Sequence, residues 1–144
     1  MPNLPADHSR RSILVVDDSQ MMRMLISALL LRFGYEVSLA HDGVEAVRKV
    51  SQRRYDCVLM DVDMPHMDGL RATEEIRRLT NSACHVPIIA VTSRSTPEDI
   101  AKCQAAGMNA HCGKPVKPLD LAHTLRRTLG AGASLHHMTA TAAQ

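Results

Sequence analysis

Aromatic side chains are almost missing from this sequence: two Tyr, one Phe and no Trp make up 2% of its 144 residues. Single-stranded nucleic acid is usually held on stacked rings, so that class of function is disfavoured, and the core has to be aliphatic and Met-rich. No apolar run approaches the length of a membrane span, and the opening MPNLPADHSRRS lacks the apolar centre of a signal peptide. A cytoplasmic location with no membrane contact is therefore expected. Cysteine is sparse, with Cys57, Cys84, Cys103 and Cys112 in no C-x-x-C pairing, so reduced thiols are expected and Cys57 reads as a small buried hydrophobe. Excess charge is lacking too: the net charge is +2 with the signs interspersed, which leaves no basic face for DNA or an anionic membrane.

What remains is an ordinary globular composition, 45% apolar and 22% charged, at a length that suits one domain. Five short aliphatic runs alternate with helical patterns: SILVV (12–16), YEVSLA (35–40), DCVLM (56–60), PIIAV (87–91) and a weaker NAHC (109–112). Runs such as ILVV and IIAV are apolar on both faces, as strands covered by helices on both sides must be. Between them, 19–33 predicts a helix with Met22, Leu25, Ile26, Leu29 and Phe33 inward and Gly34 closing it. Asp42 with Glu45 predicts a capping box ahead of Val44, Val47 and Val50, and Asp68 a cap before Leu70, Thr73, Ile76 and Leu79. Thr96-Pro97 opens another helix that Gly107 ends, and Pro118 opens the last, with Leu121, Leu125 and Leu129 inward. Five strand–helix pairs make an α/β fold with a parallel sheet and right-handed crossovers. The expected boundaries are a flexible lead at 1–11, a domain at 12–129 and an Ala/Gly-rich tail or linker at 130–144, in which His136 and His137 carry no expected role.

The chemistry-bearing residues follow the strands. Asp17 and Asp18 come after the first, Asp61 after the third, Thr92 and Ser93 after the fourth and Lys114 after the fifth. In open α/β sheets ligands bind at the carboxyl ends of strands. A flavodoxin-like strand order, 2-1-3-4-5, sets the first and third strands side by side and gathers Asp17, Asp18 and Asp61 into one shallow pocket. Three carboxylates require a cation, and an all-oxygen, solvent-open site suits Mg2+. Asp61 as nucleophile, Mg2+ as charge neutraliser and Lys114 as counter-charge equip the site for aspartyl-phosphate chemistry. Taken singly, each residue has a plain structural use: Asp17, Asp18 or Thr92 as a helix cap, Asp61 and Asp63 as turn residues before Pro65, Lys114 as a surface lysine. Their joint order after successive strands argues against that.

With VVDDS (15–19), LMDVDMPHMDGL (59–70), AVTS (90–93) and GKPV (113–116), the sequence resembles the receiver domains of two-component response regulators over about residues 12–129. The resemblance implies that Asp61 accepts a phosphoryl group from a phosphohistidine. It implies direct Mg2+ ligation by Asp18, Asp61 and the backbone carbonyl of Asp63, with Asp17 acting through water. It also implies that Thr92 bonds the phosphoryl group, that Lys114 pairs with it, and that the Lys114–Pro115 bond is cis. Three positions depart from the commonest pattern. His111 stands where Tyr or Phe is usual, so it is either a partly exposed imidazole without a switch role or a weaker, pH-sensitive gate of the output face. Ser93 replaces a frequent alanine and is small enough to leave the site open. Asp63 and Arg94 flank the route of attacking water and are expected to face each other across the pocket mouth as an ion pair.

The first helix carries a second apolar stripe, Met21, Met24, Ala28 and Leu31, either a docking surface for a helical phosphodonor or packing against the last helix. The partners implied are a histidine kinase or histidine phosphotransfer domain and a downstream protein, with the chain a monomer or weak dimer. Residues 130–144 are too few for a DNA-binding domain, so no direct contact with nucleic acid is expected. Both a stand-alone regulator and the receiver segment of a hybrid histidine kinase fit. The competing class is a haloacid-dehalogenase-type phosphatase, suggested by DVDM (61–64), although there the acidic pair follows the nucleophile.

Overall fold

The computed structural model describes residues 10–130; the lead up to residue 9 and the tail from 131, with His136 and His137, lie outside them. Five strands, β1 (Ser12–Val16), β2 (Glu36–Ala40), β3 (Cys57–Asp61), β4 (Ile88–Thr92) and β5 (Ala110–Gly113), form one sheet of order β2-β1-β3-β4-β5. Every pairing is parallel. The three inner strands are buried at every position, whereas the edge strands are not. That separates the continuous apolar runs from the weaker ones at 35–40 and 109–112.

Five helices cover the sheet: α1 (Gln20–Arg32), α2 (Gly43–Gln52), α3 (Gly69–Arg77), α4 (Pro97–Ala106) and α5 (Pro118–Leu129). Strand residues point alternately to the two faces. Ile13, Val15, Leu59, Ile89 and Val91 pack with Ile26 and Leu30 of α1 and Leu121 and Leu125 of α5. Leu14, Val16, Val58, Met60, Ile88 and Ala90 pack with Ala46 and Val50 of α2, Ala72 and Ile76 of α3 and Cys103 of α4. Each large aliphatic side chain buried in this way favours folding by about 1.5–3 kcal/mol. This is the flavodoxin-like arrangement expected from the alternating runs. None of the helices is long and apolar enough to cross a membrane, among the described residues.

Local signals set the helix starts. Ser19, Asp42, Asp68 and Thr96 each accept a hydrogen bond from a first-turn backbone N–H. The Glu45 carboxylate reaches back to the N–H of His41, one residue further than a standard capping box. Gly107 ends α4 with φ +112°, a left-handed conformation natural to glycine.

Several helix-face expectations need correction. Leu25 is 55% exposed, and Leu30 is the fully buried residue of α1 instead. Phe33 is 38% and Val44 58% exposed. α1 is apolar nearly all round, so several stripes competed for the sheet, and the stripe through Ile26 and Leu30 took it. Val44 falls off the face of α2 that Gly43, Ala46 and Val50 bury. α3 stops at Arg77, so Leu79 packs from the following loop, and a short 3-10 turn, Ser82–His85, was not anticipated.

Candidate phosphoacceptor site

Asp17 leaves β1 with its N–H bonded to the carbonyl of Ala40, and its Oδ1 accepts from the Ser19 N–H at 2.9 Å. Ser19 itself caps α1, which removes the cap reading for Asp17 and Asp18. Arg23 of α1 donates to the Asp17 carbonyl at 2.7 Å, a brace for the acidic turn that sequence reasoning missed because its acceptor is backbone. Asp61 is the last residue of β3 and 1% exposed, so it is no turn residue. The loop after it closes on itself: the Gly69 N–H bonds the Val62 carbonyl at 2.9 Å. A Cβ on Gly69 would lie 2.2 Å from the Asp61 carbonyl oxygen, so only glycine lets α3 start against the end of β3.

The strand order brings Asp17, Asp18 and Asp61 together, with one carboxylate oxygen from each lying within 4.8 Å of the others. From the far side Lys114 donates to Asp61 Oδ1 at 3.0 Å and stands 3.6 Å from Asp17 Oδ2, an ion-pair distance too long for a hydrogen bond. Asp61 Oδ1 also accepts from the Asp63 N–H at 3.2 Å. Thr92 is buried at the end of β4, and its Oγ1 accepts from the Arg94 N–H at 2.9 Å, while Thr96 takes the cap of α4. The Lys114–Pro115 peptide is cis. Asp63 and Arg94 stand 3.6 Å apart at the mouth, and both are largely exposed.

Ser93 and His111 are exposed, His111 on β5. Met21 and Met24 are 70% and 61% exposed on α1, and Ala28 and Leu31 are exposed beside them. The packing alternative for that stripe therefore does not describe it.

Electrostatically the site is unbalanced. Burial pushes the Asp61 carboxyl up to about 6; the Lys114 hydrogen bond opposes this and the charge of Asp17 adds to it. Burial works against the charged form of Lys114, yet the bond to Asp61 and the charges of Asp61 and Asp17 outweigh it and leave its pKa raised. One ammonium faces three carboxylates. The Asp17 Oδ2 atom is buried and has no hydrogen-bond partner. Hard oxygen donors, excess negative charge and a buried oxygen without a hydrogen bond fit a small divalent cation.

The sequence model of the response regulator receiver domain matches residues 13–126. The chain is 41% identical over 115 residues to the CAI-1 autoinducer sensor kinase/phosphatase CqsS of Vibrio cholerae, covering 80% of this chain and 17% of that protein. It is 40% identical over 111 residues to the sensor histidine kinase RcsC of Escherichia coli, covering 77% of this chain and 11% of the kinase. The chain thus spans under a fifth of the length of these curated relatives.

Among solved structures, the receiver domain of the sensor histidine kinase PA1611 of Pseudomonas aeruginosa has a TM-score of 0.78 at 41% identity, over 85% of this chain and all of that one. That structure holds a magnesium ion in its active-site cleft. The chemotaxis protein CheY4 of Vibrio cholerae has a TM-score of 0.78 at 35% identity, over 83% of this chain and 99% of that one. These likenesses run to two-component receivers and lend nothing to the phosphatase alternative. By sequence, by fold and by its cluster of acids, the chain belongs to the response regulator receiver domain family.

Proposed function

We propose that this chain takes a phosphoryl group from a phosphohistidine onto Asp61 and uses the modified state to change its protein contacts. The observation that carries this is the meeting of Asp17, Asp18 and Asp61 within 4.8 Å, with the Lys114 ammonium 3.0 Å from Asp61. Asp61 Oδ1 is already engaged by Lys114 and the Asp63 N–H, which leaves Oδ2 to attack phosphorus. The phosphorus–nitrogen bond of the donor breaks as the phosphorus–oxygen bond forms, and the imidazole leaves with that bonding pair and its proton. Lys114 then pairs with a phosphoryl oxygen, and Thr92 turns its hydroxyl to another. Ser93 leaves that side open. The side chains of Asp17, Asp18 and Asp61, with the Asp63 carbonyl, would hold Mg2+, which when bound neutralises charge on the transferring group.

The domain at 12–129 is the unit that does this, in the cytoplasm, as a monomer or weak dimer without contact to nucleic acid. Its only chemistry is self-catalysed transfer and hydrolysis. The donor is a histidine kinase or phosphotransfer domain that docks on Met21 and Met24, whose flexible side chains suit an adaptable surface. His111 lies on the face read by the downstream protein. The Asp63–Arg94 pair slows the approach of water to the phosphorylated residue.

Incubation with acetyl phosphate and Mg2+ followed by intact-mass measurement tests the reading. The parent protein is expected to carry one phosphoryl group, and Asp61→Asn none. Equal labelling of both, or sustained hydrolysis of small phosphomonoesters by the parent, overturns it.

A further inference from the structure

β5 is a weakly anchored edge strand. It has four residues and pairs only with β4, and of its side chains Cys112 alone is buried. Yet Lys114 follows it directly, with its N–H bonded to the Thr92 carbonyl at 2.9 Å. The far end of this short strand is held by a different device.

Arg77, the last residue of α3, turns its guanidinium into backbone. Nε and Nη2 donate to the Gly107 carbonyl at 3.0 and 2.7 Å, and Nη1 donates to the carbonyls of Cys84 and Val86 at 2.8 and 2.7 Å. Nη2 also donates to Asn109 Oδ1 at 3.0 Å. Asn109 in turn grips the first residue of β4: its Oδ1 accepts from the Ile88 N–H at 2.8 Å, and its own N–H donates to the Ile88 carbonyl at 2.8 Å. Gly107 is shaped to this contact, since a Cβ there would stand 2.9 Å from Arg77 Cγ. No carboxylate among the described residues pairs with Arg77. A cation with only carbonyl and amide partners is a geometric fastener rather than half of an ion pair, and its planar fork is what lysine cannot supply.

We propose that Arg77 is a positioning residue for phosphoryl transfer: by fastening residues 107–109 it fixes the start of β5 against β4, and so holds Lys114 opposite Asp61. Asp17 and Asp18 follow β1 and Asp61 ends β3, and none of the three is bonded to Arg77 or to residues 107–109. Loss of Arg77 therefore separates two properties of the site, leaving cation binding intact while the lysine drifts.

The inference rests on Asp61 as acceptor, and the experiment keeps the two apart. The parent, Asp61→Asn, Arg77→Gln, Arg77→Lys and Asn109→Ala are compared for the rate of labelling by acetyl phosphate, for Mg2+ affinity by calorimetry, and for hydrogen exchange by residue. If the parent does not label, the acceptor reading fails. Given labelling of the parent, Arg77→Gln is expected to label about 10- to 100-fold more slowly, as for a reacting group displaced by about an ångström. Its Mg2+ affinity should equal or exceed the parent's, since a drifting ammonium no longer competes for the carboxylates, and faster exchange should be confined to the segments Arg77 fastens, residues 84–88 and 107–114. Arg77→Lys should fall close to Arg77→Gln, because charge without the fork does not restore the fastening.

Labelling of Arg77→Gln at the parent rate overturns the proposal. So does slower labelling accompanied by lost Mg2+ affinity and faster exchange across β1 and β3, which marks general loosening. Should Arg77→Gln not fold, Asn109→Ala decides by the same three readouts.

Discussion

The two poles of the sheet are built on opposite principles. At the carboxyl pole three carboxylates crowd one lysine, and a buried oxygen of Asp17 has no hydrogen-bond partner. At the amino pole the polar groups match: Asp56 Oδ2 accepts from the Ser12 N–H at 2.8 Å, the Asp56 N–H returns a bond to the Ser12 carbonyl at 2.8 Å, and Arg77 spreads its donors over carbonyls. One pole is left incomplete so that something else completes it; the other is closed so that the strands stay in register. Chemistry that needs a cation and a phosphoryl group requires an excess of acceptors, and the same excess weakens the bare fold.

Opposite signs for the same kind of change are the sharpest test. Asp56→Ala strands the Ser12 N–H and is expected to destabilise by about 1–3 kcal/mol, the cost of an unsatisfied buried donor. Asp17→Asn in metal-free buffer is expected to raise stability, by up to about 1 kcal/mol, through relief of like-charge repulsion, while abolishing the stabilisation that Mg2+ gives the parent. Urea unfolding of both variants, with and without Mg2+, checks this. Equal losses for both would erase the distinction between the poles.

A smaller effect follows from acidity. The folded pKa of Asp61 lies at about 6, above its unfolded value of roughly 4. The folded protein thus binds that proton more tightly than the unfolded chain. The stability linked to it is fully present below the unfolded value and is lost as pH rises through about 6. In metal-free buffer the parent should gain stability between pH 7 and pH 5 relative to Asp61→Asn, and Mg2+ should shrink the difference. Parallel pH profiles for the two proteins would show that Asp61 is not strained.

The least effect on stability is expected at the rim, where Asp63 and Arg94 are both largely exposed. Arg94→Ala should change unfolding by only about 0–1 kcal/mol, yet dephosphorylation of the labelled protein should quicken. An unchanged decay rate would leave the pair without a role in excluding water.

The inner strands were legible because burial on both faces writes an uninterrupted aliphatic run, and the acids were legible because they stand directly after those runs. Asp42, Asp68 and Thr96 marked helix starts through their own side chains, whereas Ser19 went unread as a cap because Asp17 and Asp18 stood beside it as equally good candidates. The inward face of α1 was not legible, because Met21, Met24, Leu25 and Leu31 are as apolar as Ile26 and Leu30, and only the sheet selects among them. The work of Arg23 and Arg77 was hidden for another reason: their acceptors are mainly backbone carbonyls, which every residue carries, so no residue type announces the contact. Asp63 and Arg94 were paired in advance only through the resemblance to a family, since 31 positions in the chain separate them.

The closed loop between Asp61 and α3 has a practical corollary for engineering. Gly69 and Val62 lock its two ends together, Asp68 caps the helix and the Asp63 N–H is tied to Asp61, so the backbone path is held and only the outward side chains are free to vary. Met64 must stay apolar to fill its niche, but Asp63, Pro65 and His66 face outward. Side-chain changes at 63, 65 and 66 thereby alter the rim of the pocket while Asp17, Asp18 and Asp61 stay where they stand.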